Sequence, residues 1–227
     1  MNPFGFGSWS VQPNRMWEVR EARLLHRDFH EKEDTPDLYK TAVQSLRSLP
    51  LDSASKWRLA REAIWGFLIK WGRIRGFREA NSYGMLKKLD SNALLINSLR
   101  KYELADDLAR KISFKGQSRT IASWMQALLC EISSVYPKRY QVVGASKLLH
   151  VTIPKLFVMF DNPMCERFFG TGATVPVYCG LMLPLARTQI EILRSVGVKP
   201  ASHEACNGSW AKLVDEINWM WANRHGI

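Results

Sequence analysis

Apolar residues return every three or four positions through most of this 227-residue chain, and strict alternation of apolar and polar residues is scarce. That is the helical period, so the chain is expected to be all-α. Helices are predicted over 15–30, 37–49, 53–71, 91–102, 119–134, 146–153, 163–169, 184–196 and 209–224, with breaks at Pro50, 72–84, 115–118, 136–139, 170–176 and 197–208. None of the breaks is long or biased enough for an interdomain linker, and the chain has no internal repeat. One compact multi-helix domain over 15–227 is therefore expected, behind a flexible segment, 1–14, that carries Gly, Pro, Asn and Ser. Two stripes read as core faces: Trp57, Ala60, Ile64, Phe67, Leu68 and Trp71 in one helix, and Trp210, Leu213, Val214 and Ile217 in the last.

Within this helical pattern one stretch, YQVVGASKLLHVTIPKLFVMFDNP at 140–163, sets a glycine turn at Gly144 and a single lysine, Lys147, ahead of a short apolar helix and closes on Asp161. Leu148, Leu149, Val151 and Ile153 suit a buried helical turn, which Pro154 ends. The apolar run 156–160 then carries Asp161 to the edge of the core. A carboxylate there is costly to bury unless it is paired, caps a helix or does chemistry. Asn162 and Pro163 are turn and helix-start signals, so both capping and a functional role stay open. His150, one turn beyond Lys147, either lines the same pocket or is a satisfied core residue.

The arrangement resembles, distantly, the core of the helix-hairpin-helix DNA glycosylase superfamily of the 8-oxoguanine glycosylase and endonuclease III kind. There, a glycine-containing hairpin leads into a helix and an aspartate follows in the next loop. The resemblance implies a helix-hairpin-helix-like element, Asp161 as the catalytic aspartate, and Lys147 as the lysine that strand-cleaving members carry at the start of that helix. It departs from the family in supplying one glycine over 142–146, and in an interval of 161 − 147 = 14, about one helical turn shorter. Backbone N–H groups at Gly144 and Ser146 would face phosphate oxygens, and Lys138 and Arg139 would reinforce that hold without reading sequence. Asn162, beside Asp161, falls among the substrate contacts. Some relatives hold an iron–sulfur cluster through four closely spaced C-terminal cysteines; Cys130, Cys165, Cys179 and Cys206 are too scattered, so no cofactor is expected.

Charge points the same way. Thirty-two Lys and Arg against 21 Asp and Glu give a net +11, the footprint of a protein that neutralises phosphates. At the end of the 53–71 helix, WGRIRGFR places Trp71, Arg73 and Arg75 around two glycines, a set that either borders an extruded nucleotide or forms a solvated basic helix end. The polar turn from Lys115 to Arg119, at a predicted helix start, would favour an anion. No apolar run approaches the ~18 to 20 residues of a spanning helix, and MNPFGFGSW is no secretory signal, so a cytoplasmic protein is expected. The cysteines lack zinc-type spacing, His203 and Cys206 alone are a weak metal signal, and reduced thiols buried in helical contexts with no metal are expected. P-loop, Rossmann and nucleophile-elbow motifs are absent.

These features together predict a monomeric α-helical DNA glycosylase that flips a damaged or modified base out of double-stranded DNA and hydrolyses its N-glycosidic bond. A phage's hypermodified base, and hence a defence role, stays open alongside repair. Asp161 would stabilise the oxocarbenium-like sugar and orient water; if Lys147 faces the same pocket, its amine would attack the sugar and cleave the strand as a lyase. Two other classes fit the sequence: a non-catalytic DNA-binding module on the same scaffold, and a helical interaction protein with an acidic partner.

Overall fold

The structure, a computed structural model, describes residues 21, 22, 24, 25, 27, 36–71, 79–135, 141–200 and 208–224. In chain order the described elements are α1 (Pro36–Leu46), α2 (Ala54–Gly66), α3 (Glu79–Ser91), α4 (Ala93–Leu99), the strands β1 (Lys111–Phe114) and β2 (Gln117–Thr120), then α5 (Ile121–Ser133), α6 (Gln141–Thr152), α7 (Asn162–Phe169), α8 (Leu183–Ser195) and α9 (Trp210–Arg224). A π-turn, Phe67–Trp71, continues α2, and a helical turn at Val175–Val177 with a π-turn at Tyr178–Met182 leads into α8. Among the described residues the fold is all-α apart from the β1–β2 hairpin.

The predicted stripes bury as expected. Ala60, Ile64, Phe67 and Leu68 from α2 and Leu213, Val214 and Ile217 from α9 lie in one core shared by all the helices. Trp57 sits at its margin and donates its indole N–H to the Leu51 carbonyl at 3.0 Å. Local signals set the helix starts: Ser53 and Thr120 are extended N-caps whose hydroxyls accept from Lys56 N and Ser123 N.

Four expectations are corrected. The break predicted over 72–84 ends inside α3, whose sequence EANSYGMLKKLDS is rich in poor helix formers. Tertiary packing overrides that propensity: Met85, Leu86 and Leu89 are buried, and a Cβ on Gly84 would lie 2.5 Å from Val135 Cγ1, so glycine lets α3 approach the end of α5. The turn predicted at a helix start over 115–118 is the tip of the hairpin, with Lys115 and Gly116 both at positive φ, 47° and 76°. Gly144, expected in a hairpin turn, is buried in the first half of α6, which begins five residues earlier than predicted at Gln141. Cys130 is likewise exposed and not a buried thiol, whereas Cys165 and Cys179 are buried and free.

Side chains clamp the helices that frame the site. The Arg100 guanidinium donates to the carbonyls of Leu46, Arg47 (2.8 Å) and Thr152 (3.2 Å), joining the ends of α1 and α6. Gln189 and Asn218 exchange reciprocal amide hydrogen bonds at 2.8 and 2.9 Å, fixing α8 to α9. Ser209 accepts from Lys212 N at 3.1 Å and donates to the Pro154 carbonyl at 2.6 Å, so α9 starts against the segment that leaves α6.

Candidate active site

The loop from α6 to α7 is built to present one carboxylate. Its apolar run, Leu156 to Phe160, is fully buried, and backbone polar groups drawn into a core need partners. Three side chains supply them. His150 Nδ1 lies 2.5 Å from the Phe157 carbonyl, Tyr178 both donates to Val158 O (2.9 Å) and accepts from Val158 N (3.2 Å), and Ser146 reaches Phe160 O at 3.4 Å. The chain thus emerges at Asp161 in extended conformation, φ −140° and ψ 174°, half-buried, with Oδ1 accepting from Met164 N at 3.0 Å as the N-cap of α7. The capping role predicted for Asp161 is present, and Pro163 sits in the first turn as its sequence suggests.

Ser146 therefore has different work from that expected, and His150 takes one of its two readings. Both are fully buried, so Ser146 is not on a surface that meets DNA phosphates; its hydroxyl is engaged by Val143 O at 2.9 Å and by Phe160 O. His150 is the core residue of its two readings. Its Nδ1–H must donate to the Phe157 carbonyl, which leaves Nε2 to accept from the Tyr39 hydroxyl at 3.0 Å. Burial, with the positive charge of Lys212, holds the imidazole down to about 3, so it is neutral at physiological pH. Asn162 accepts from Ala173 N at 2.9 Å through Oδ1, pinning the loop after α7. Gly144 is inside a helix, where its N–H is not a hairpin donor.

Lys147 stands on α6 next to Ser146 and is 9% exposed. Through the Ser146 hydrogen bond its position is tied to the residue just before Asp161. On α9, Lys212, Asp215 and Glu216 are all buried. The spacing i, i+3, i+4 puts these three on one helical face. Lys212 Nζ lies 2.8 Å from Glu216 Oε1 and 4.5 Å from the Tyr39 ring centroid. Burial alone would lower the Lys212 ammonium, but Glu216, Tyr39 and Asp215 together hold it above its usual range.

Asp215 is the group that links the cluster. Burial raises its carboxyl to about 8; Lys212 and Lys147 pull against that shift, while Glu216 and Asp161 add to it. Asp215 is thus within electrostatic reach of Lys147 on α6 and of Asp161 at the start of α7. Such a set can hold a positive charge, orient water and carry a proton at neutral pH. The raised value has a stability consequence. Asp215 binds its proton more tightly folded than unfolded, so its contribution to stability is full below pH ~4 and is lost as pH rises towards 8. Asp215→Asn, which keeps the shape and cannot ionise, is expected to flatten that decline and to be more stable than wild type at pH 8, read from urea unfolding at pH 5 and 8.

The α9 triad was missed by the sequence reading, which saw that helix only as a packing stripe. The remaining predicted contacts Arg73, Arg75, Lys138 and Arg139 lie outside the described residues, and Trp71 is described only as the backbone end of the π-turn after α2. Among the described residues, no group of three or more His, Cys, Asp or Glu side chains is placed to hold a metal ion, and no helix is long and apolar enough to cross a membrane. No family model, curated protein or solved structure matches the chain.

Proposed function

We propose that this chain is a DNA N-glycosylase that extrudes a damaged or modified nucleotide from duplex DNA and hydrolyses its N-glycosidic bond. The observation that carries the reading is a buried Asp215 within electrostatic reach of both Lys147 and Asp161, in a chain of net charge +11. The bond from C1′ to the base nitrogen breaks with its electron pair leaving on the base, and the sugar becomes cationic. The Asp161 carboxylate stabilises that cation and directs water to C1′. Asp215, protonated at neutral pH, carries a proton that the departing base nitrogen can take.

The reading is tested by incubating the protein with duplexes that each carry one modified base and detecting the free base by mass spectrometry. Lys147 then separates two routes. A species trapped on the protein by borohydride, lost in Lys147→Ala, marks an amine nucleophile that forms an imine with the sugar. Free base with no trapped species marks water directed by Asp161, the outcome expected here because the interval from Lys147 to Asp161 is short.

A second reading, a duplex binder without catalysis, is favoured by one observation: Asp161 Oδ1 is already engaged by Met164 N as a helix cap. In that case Asp161→Ala lowers stability by about 1 kcal/mol and nothing else changes.

A further inference from the structure

The β1–β2 hairpin concentrates charge that the candidate site does not use. Arg110, Lys111, Lys115 and Arg119 are all exposed, and no Asp or Glu occurs between 108 and 130. Four positive charges and no negative one thus sit on the ten residues 110–119. Among the described residues, none of the four is paired with a carboxylate; the nearby Asp106 and Asp107 instead accept from the backbone N–H groups of Glu103 and Ala109.

The hairpin is also held rigidly. Ile112 and Phe114 alternate inward on β1, and Trp124 of α5 packs under them, its ring 5.7 Å from Phe114 at 84° and its N–H 3.4 Å from Ile112 O. Ile121 N and Ala122 N bond to Arg110 O and Leu108 O at 3.0 Å each, sewing the base of the hairpin to the start of α5. Arg119 stacks over the Trp124 ring at 4.8 Å and Lys115 over Phe114 at 5.6 Å, which orders both cations and leaves their N–H groups to solvent.

We infer that the β1–β2 hairpin is a clamp for the phosphate backbone of duplex DNA, with Lys111 and Lys115 as its principal contacts. The inference rests on the duplex partner named in the reading above. Four-residue strands extend roughly 13 Å, so Lys111 and Lys115 reach separate phosphates along one strand. A two-stranded ribbon also fits the width of a duplex groove. Phe114 of the hairpin and Trp124 of α5 pack edge to face, with Lys115 over the first ring and Arg119 over the second. The exposed groups, lysines and the hydroxyls of Ser113 and Ser118, are ones that hold phosphate without reading sequence.

The test is Lys111→Ala with Lys115→Ala, compared with the wild type for binding to a short duplex of arbitrary sequence across a salt series, with circular dichroism to check the fold. Each lost contact should lower the log–log salt slope by about 0.9, so the pair should flatten it by about 1.8 and weaken binding roughly 30-fold at ~0.15 M salt. The Lys→Arg pair should retain both affinity and slope. Unchanged affinity and slope in a folded Ala pair would overturn the clamp, even if the protein excises bases. A weakened Ala pair in a protein that releases no base from any duplex would leave the clamp standing and remove the glycosylase reading. A wild type that ignores duplex at low salt yet binds an acidic polypeptide would overturn the clamp's DNA assignment.

Discussion

Lys212→Met is expected to lower the stability of the fold by about 3 to 5 kcal/mol, because it takes away the ammonium that lies 2.8 Å from the Glu216 carboxylate inside the core. A protein of this kind holds only about 5 to 15 kcal/mol in total, so the single variant should unfold at much lower urea and fall in soluble yield. The double variant Lys212→Met with Glu216→Leu removes both charges together and should recover most of the loss. The contrast is what matters. A single variant within 1 kcal/mol of wild type, on the scale of an exposed pair, would mean that water reaches the two groups.

Asp161→Asn is expected to slow base release by roughly 10²- to 10³-fold, the usual effect of losing one charge that faces a transition state. The substitution is chosen because Asn is as good an N-cap as Asp, so its amide oxygen can still accept from Met164 N at the 3.0 Å position. The fold should melt within a few tenths of a kcal/mol of wild type. Duplex affinity should stay equal or rise, since one negative charge near phosphate is gone. Loss of activity with unchanged melting and binding separates chemistry from capping, which Asp161→Ala alone does not.

The helices were legible because their apolar residues follow the helical period, and α2, α5, α7, α8 and α9 lie within a few residues of where that period places them. What was not legible has particular causes. Lys212, Asp215 and Glu216 sit at spacings that on an ordinary amphipathic helix mean a solvated face, and the i, i+4 pairing of Lys212 with Glu216 strengthens that impression. In fact α9 is buried on nearly every side, with Trp219 continuing the same face one turn on as a residue packed against the core. A charged stripe running into a tryptophan was the available signal.

The hairpin was missed because four-residue strands hold only two alternations, Ile112 and Phe114 against Lys111 and Ser113, too few to stand out from a helix start. The capping role of Asp161 was legible from its place after a buried run and before Asn162 and Pro163, whereas the role of His150 and Ser146 in holding that run depends on contacts with Phe157 and Phe160 that no spacing encodes.

Single-turnover release of a modified base, scored as abasic sites in duplex DNA with wild-type protein and Asp161→Asn side by side and both bound to saturation, bears most directly on the proposed enzyme. Abasic sites should accumulate with wild type and be reduced at least ~100-fold with Asp161→Asn at equal occupancy. Equal accumulation with both proteins, or none with either while both bind the duplex, would contradict it.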